Sequence, residues 1–282
     1  MRKIAVQFVI IISLSACGQV KEPKPLNEDW SKAYEPFRIV GNAYYVGTHD
    51  LACYLITTQK GHILINTGLA ASAELIEKNV LALGFKFSDI KILLTTQAHW
   101  DHCGAMAEVK LKTGAQMFAN EKDAQTLEDG GANDFAFGGK GSTFAPVKVN
   151  KLLRPDEIIS LGDVKIKMLH HPGHTKGSSS YLLTTQDDTR SYQVLIANMP
   201  TIVVDKKLSE VTTYPTIAAD VAATLQSLAN QTFDIWLASH ASQFKLHNKR
   251  KPSDAYNPKA FVDRAGYDET LAELREQYEE KK

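Results

Sequence analysis

The stretch Gln97-Ala-His99-Trp100-Asp101-His102 constrains this chain more than any other. It directly follows Lys91-Ile-Leu-Leu-Thr95, a continuous apolar run of strand length. Such a run reads as a strand buried on both faces. Polar side chains at the carboxyl end of a buried strand are where α/β proteins build their sites. Two histidines and an aspartate within four positions, beside a glutamine, are hard to explain as packing alone.

The rest of the chain reads in the same style. Phe37 to Val46, Leu51 to Thr58 and Gly61 to Gly68 have the β-branched and aromatic content of strands, and Ala71 to Leu83 has helical spacing. A helix starts at Gly104, a short strand covers Gln116 to Ala119, and a helix covers Glu121 to Glu128. The second half repeats this with strands at Ile158-Ile159, Val164 to Leu169, Ser179 to Thr184, Tyr192 to Ala197 and Phe233 to Ala238. Helices are expected at Ile217 to Leu228 and over the charged tail Ala260 to Glu280. Two β-rich halves, each with helices, predict an α/β fold with sheets packed face to face and helices outside. Gly130 to Gly141 holds five glycines around Phe135 and Phe137. It reads as a flexible loop whose aromatics lack an obvious core partner, either a solvent loop or a flap over a site.

The chain begins with an address. Met1-Arg2-Lys3 is basic, Ile4 to Leu14 is apolar but too short to span a bilayer, and Ser15 and Ala16 are small. Residues 1–17 therefore read as a secretory signal peptide, with a terminal core helix as the alternative. Leu14-Ser15-Ala16-Cys17 resembles the lipobox of bacterial lipoproteins, which implies a lipid anchor on Cys17; ordinary cleavage nearby is the alternative. Residues 18–34, with Pro23 and Pro25, read as a stiff tether, and residues 35–282 as the folded domain. The expected location is the periplasm of a Gram-negative-type envelope, and the chain is expected to be a monomer. The compartment permits a disulfide between Cys53 and Cys103, although Cys103 reads better as a small packing residue beside His102. Lys+Arg and Asp+Glu both number 32, so there is no basic excess for nucleic acid, and a small-molecule substrate is favoured.

Imidazole and carboxylate are the ligands that zinc takes in hydrolytic sites. The first cluster needs partners, and two turns supply them. Pro172-Gly173-His174-Thr175 follows one strand and Ser239-His240-Ala241-Ser242 follows another. His99, Asp101, His102, His174 and His240 are thus the strong candidate ligands, enough for two zinc ions with open positions. His170 or His171 reads as outer support for a ligand, and His49, His62 and His247 as surface or packing residues.

With this ordered set the chain resembles the metallo-β-lactamase superfamily, whose motif is His-x-His-x-Asp-His, then a later His, then a final His. The likeness runs from about Phe37 to His247. Gln97 in place of the first His, and Met199 where other members carry a Cys, Ser or Asp ligand, are similar to the GOB-type enzymes of subclass B3. The resemblance implies an αββα sandwich, two mixed sheets face to face with helices on both outer faces. It implies Zn1 held by Gln97, His99 and His174, and Zn2 by Asp101, His102 and His240. One or two Zn2+ ions would bind, with Zn1 the weaker because a neutral amide oxygen is a poorer donor than imidazole.

The implied activity is hydrolysis of the β-lactam amide of penicillins, cephalosporins and carbapenems, conferring antibiotic resistance. Asp101 would be the catalytic residue, its free oxygen orienting the attacking water. Thr201 would hold the substrate carboxylate, and Phe135 and Phe137 would cover the substrate. The alternatives are another hydrolase of this fold acting on a thioester or lactone, or a non-catalytic zinc-binding envelope protein. Thioester hydrolases use a metal-bridging Asp where this chain has Met199, and a thioether cannot take that part. A structural zinc site is usually closed by Cys and His, whereas this set contains Asp and Gln.

Overall fold

The computed structural model describes residues 20–282; the signal-peptide stretch and Cys17 lie outside the described residues. Twelve strands form two sheets among them. The first sheet contains β1 (Phe37–Val40), β2 (Ala43–Tyr45), β3 (Tyr54–Thr58), β4 (Gly61–Ile65), β5 (Ile90–Leu94), β6 (Gln116–Asn120) and β7 (Lys151–Leu153), in that order. Strands β1 to β4 form an antiparallel meander, and β4 to β7 run parallel. The second sheet has the order β12-β11-β10-β9-β8, from β8 (Ile158–Leu161), β9 (Val164–His170), β10 (Ser179–Gln186), β11 (Ser191–Ala197) and β12 (Ile235–Ala238). Only its β11–β12 pair is parallel.

Alternation along the strands explains the layers. Tyr54, Ile56, Ile63, Ile65, Ile92 and Leu94 enter the core shared with the second sheet. Their neighbours Leu55, Leu64 and Leu93 enter a separate core beneath helices α1 (Ala73–Ala82) and α3 (Met106–Thr113), through Ile76, Val80, Met106 and Val109. A strand with apolar residues on both faces must be covered on both, since successive side chains point to opposite sides. Helices α5 (Ile217–Ala229) and α7 (Arg264–Lys281) cover the second sheet with Val221, Leu225, Leu228, Tyr267 and Leu271. The result is the αββα sandwich expected from the sequence.

Several local expectations are corrected. The run Phe37 to Val46 is two strands, because the chain reverses at Gly41 with φ +52°. A Cβ there would collide with Thr185, so glycine is required both by backbone and by space. The metal-motif residues start a short helix, α2 (Trp100–Cys103), that the apolar pattern did not show. Strand β7 and the short helices α4 (Ala124–Glu128) and α6 (Leu246–Lys249) complete the strands and α-helices, and neither β7 nor α6 was expected.

Residues 20–34 of the expected tether are seated on the domain rather than standing off from it. Trp30 and Tyr34 are buried, Lys21 donates its backbone N–H to Ser142, and the Glu22 carboxylate accepts from the Ala70 N–H at 2.7 Å. The apolar area of two large aromatic rings outweighs the stiffness that prolines give the stretch. Cys53 and Cys103 are both buried free thiols, so they do not pair. No helix among the described residues is long and apolar enough to cross a membrane.

Candidate metal centre

Every predicted ligand lies just past the end of a strand, at one rim of the sandwich. After β5 the chain bends through Thr96 to His99, which stands at the N-cap of α2 with φ −112° and ψ 155°. His99 therefore points off the strand end, while Asp101 and His102 ride on the first helical turn. Buried polar side chains set this path. Asn66, held at φ +64° where Asn is among the few tolerated side chains, accepts from the Thr96 N–H at 2.8 Å. The Thr95 hydroxyl donates to the Gln97 carbonyl at 2.7 Å, and the Cys103 thiol donates to that same carbonyl at 3.2 Å.

Asp123 ties this segment to the second one. Its Oδ2 accepts from the Ala98 N–H at 3.0 Å and the Thr175 hydroxyl at 2.7 Å, and its Oδ1 from the Gly177 N–H at 2.7 Å. Gly173, at φ +129°, lets the turn that carries His174 press directly on Val221 of α5. The third segment follows β12. There Asp50 accepts from His240 Nδ1 at 3.1 Å, the Ser242 N–H at 2.8 Å and Trp30 Nε1 at 3.1 Å. The buried N-terminal Trp30 is thus two hydrogen bonds from a candidate ligand.

Asp101, His102 and His240 offer ligand atoms that all lie within 4.8 Å of one another. Asp101 Oδ2 is 3.2 Å from His102 Nε2 and 3.4 Å from His240 Nε2. Both nitrogens of the fully buried His102 lack a hydrogen-bond partner among the described residues. Buried polar atoms are rarely left so, which makes this triad a good fit to a divalent cation with imidazole and carboxylate ligands. Burial pushes the His102 pKa down and keeps the ring neutral, as a ligand must be. Burial also opposes charge on Asp101 and His240, but for Asp101 the neighbouring His102 and then His240 win, and for His240 the carboxylates of Asp101 and Asp50. Asp101 is held well below the usual carboxylate range, and His240, between Asp101 and Asp50, is raised to about 9. Asp50 holds the Nδ1 proton and turns Nε2 toward Asp101, so Nε2 is the nitrogen a bound metal would take in place of its proton.

The second group of predicted ligands sits beside the first. His99 Nδ1 lies 3.1 Å from His174 Nε2. His174 Nδ1 lies 2.8 Å from both the carbonyl and the hydroxyl of Thr201, so its Nε2 carries the lone pair. Burial, then the nearby His99, lowers His174 to about 3 and keeps it neutral. Gln97 reaches this pair, but with its amide nitrogen, at 2.8 Å from His174 Nε2. Its oxygen is turned away and accepts from Asn198 Nδ2 at 2.8 Å. Thr201, expected at the substrate, stands behind His174 on the side away from His99. Met199 is buried in the main hydrophobic core.

The glycine-rich loop differs most from expectation, because its aromatics do have partners. Phe137 packs edge-on against His99 and Trp100, with centroids 5.0 and 4.7 Å away, and Phe135 packs on Tyr214 at 5.1 Å. Asp134 locks the loop by accepting the N–H groups of Ala136 and Phe137 at 2.9 and 2.7 Å. Its Oδ2 meets His99 Nε2 at 3.3 Å. Burial opposes protonation of His99, but the Asp134 carboxylate raises its pKa. His170 contacts Asn120, and His171 is clamped between the hydroxyls of Ser180 and Ser227; neither faces the ligand cluster. His49 and His247 stack on each other at 3.8 Å.

Asp50, Asp123, Asp134 and Asn198 were not singled out from the sequence. Each acts across a long chain separation and stands in no local pattern, so only the folded contacts reveal it.

The sequence and the fold both have relatives among known proteins. A model of the Metallo-beta-lactamase superfamily matches residues 47–186. The class B3 di-zinc metallo-beta-lactamase LRA-12 from an Alaskan soil metagenome superposes with a TM-score of 0.92 and 62% identity, over 93% of this chain and 99% of that one. The metallo-beta-lactamase GOB-18 from Elizabethkingia meningoseptica has a TM-score of 0.92 and 52% identity, over 94% and 98%. A curated relative, the probable metallo-hydrolase YqgX of Bacillus subtilis, is 29% identical over 103 residues, 36% of this chain. That match spans about half the relative's length, 48%.

Proposed function

Because this chain belongs to the metallo-beta-lactamase superfamily, with solved subclass B3 relatives at 52–62% identity, we propose that it is a zinc-dependent β-lactamase. The substrates are penicillins, cephalosporins and carbapenems. The observation that carries the reading is the convergence of Asp101, His102 and His240 within 4.8 Å, with His99 and His174 alongside. Asp101, His102 and His240 would hold one zinc ion, and His99 and His174, with Gln97, a second and weaker one. Bound zinc supplies Lewis acidity, polarising a carbonyl and lowering the pKa of water to about 7.

The chain's own residues do the rest. Asp101 directs Oδ2 at the ligand centre and leaves Oδ1 to accept a hydrogen bond from the attacking water, which fixes its line of attack. Asp50 and Asp134 keep His240 and His99 in the required tautomers. Phe137, beside His99, and Phe135 would form the apolar wall against the bound drug. Thr201 acts through His174, whose Nδ1 it faces. A hydrolase of thioesters or lactones is the other reading; Met199, buried in the core, cannot supply the bridging carboxylate such enzymes use.

Assay of the purified protein against a cephalosporin and a glutathione thioester separates the two, and turnover of the thioester alone would sink the β-lactamase reading. Asp101→Ala should lower β-lactam turnover by more than about a hundredfold, the upper end of what even outer metal partners cost, with the fold retained.

We also propose that the mature protein is a periplasmic monomer anchored by lipid on Cys17. The Leu14-Ser15-Ala16-Cys17 sequence supports this. Intact mass of the mature chain should show an acylated Cys17 at its N-terminus, and an unmodified start elsewhere contradicts the anchor.

A further inference from the structure

Gln97 can ligate a metal only through its carbonyl oxygen, because the amide nitrogen's lone pair is delocalised and its two hydrogens make it a donor. Here the nitrogen faces the metal position and the oxygen faces Asn198. The surrounding hydrogen bonds decide that orientation. Asn198 is fully buried beyond the end of β11, and its backbone N–H donates to Ser180 Oγ at 2.8 Å. Its Nδ2 donates to the Thr96 carbonyl at 2.7 Å and to Gln97 Oε1 at 2.8 Å.

A backbone carbonyl can only accept, so turning the Asn198 amide over would set two oxygens against each other. Asn198 keeps this orientation even though its own Oδ1 is left buried with no partner among the described residues. Gln97 Oε1 is therefore drawn to Asn198, and the Gln97 N–H₂ is delivered to the lone pair of His174 Nε2.

We infer that Asn198 is a positioning residue that holds Gln97 in a non-ligating orientation, so that Gln97 caps His174 and weakens the metal position formed with His99. This rests on the zinc reading above. Filling that position requires the Gln97–His174 hydrogen bond to break and the amide to rotate against Asn198. A tenfold change in affinity corresponds to about 1.4 kcal/mol, within the range of one hydrogen bond. The Thr96 carbonyl retains the Ser179 N–H at 2.8 Å, so removing the Asn198 amide leaves it satisfied.

The test is calorimetric titration of the metal-free full chain with Zn2+, read as two dissociation constants. Asn198→Leu should tighten the second, weaker equivalent on the order of tenfold and leave the first within twofold. Gln97→Glu presents an oxygen to Asn198 and another to the metal, so it should tighten the second equivalent with Asn198 in place.

In the Gln97→Glu background the sign should reverse. Asn198 now steadies a ligand, and adding Asn198→Leu should weaken the second equivalent. A general packing role for Asn198 would not produce that reversal. Should Asn198→Leu fail to fold, Gln97→Glu against wild type still decides the orientation: no tightening overturns the inference. An unchanged or weaker second equivalent in folded Asn198→Leu overturns it too, while the first equivalent stands. A wild-type chain that binds no zinc at all overturns the zinc reading and this inference together.

Discussion

His171 shows how burial tunes a group that takes no part in the proposed chemistry. Both of its ring nitrogens meet serine hydroxyls, at 2.7 Å to Ser180 and 3.0 Å to Ser227. Burial, and then the neighbouring His170, lower its pKa to about 4. The folded pKa lies below the unfolded value of about 6.5, so the unfolded chain takes up the proton first as pH falls. The contribution to stability is present above pH 6.5 and lost between there and pH 4, amounting to about 3 kcal/mol. Denaturant unfolding in chelator at pH 7 and pH 4.5 should show a shallower pH dependence for His171→Gln than for wild type. Equal dependences would mean that His171 is not the group responsible.

The five strong ligands were readable at this scale because zinc chemistry restricts residue type and the motifs are local. Asp50, Asp134 and Asn198 were not readable. Their partners stand 190, 35 and 101 positions away, and a lone Asp or Asn in a loop has no spacing to betray it.

Elements hold those side chains in place. The turn between β4 and α1 is pressed against α2, where the Gly104 N–H donates to the Gly68 and Trp100 carbonyls, each at 2.8 Å. A Cβ on Gly104 would fall 2.6 Å from the Trp100 carbonyl oxygen and onto the backbone of Leu69 and Ala70. Backbone cannot rotate away as a flexible side chain can. Gly104→Ala should therefore destabilise the protein by about 2 to 3 kcal/mol and displace the turn that carries Asp101 and His102. An unfolding midpoint equal to wild type would show that α2 is not wedged there.

Strand patterns located nearly every strand, since period-two burial is a property of the sequence itself. Short α2 and the fixed path of Gly130 to Gly141 escaped notice. A four-residue helix has too few turns for a periodic signal. The loop's order comes from Asp134 and from rings packed on a neighbouring segment, rather than from its own composition.

At the scale of the molecule, two sheets present their strand ends at one rim, and every candidate ligand comes from a segment that leaves a strand there. The architecture followed from the two β-rich halves and from the family resemblance. The N-terminal extension did not, because proline content spoke for a free tether while burial of Trp30 and Tyr34 decided otherwise. Trp30 donates to Asp50, which orients His240, so the extension belongs to the structure that supports the metal centre.

The central claim is that this rim hydrolyses β-lactams with zinc. Its most direct test is carbapenem turnover by the purified protein after chelation and again after zinc is restored. The account predicts turnover that disappears with the chelator and returns with zinc. Turnover indifferent to the chelator, or a zinc-loaded protein that leaves every β-lactam intact, would contradict it.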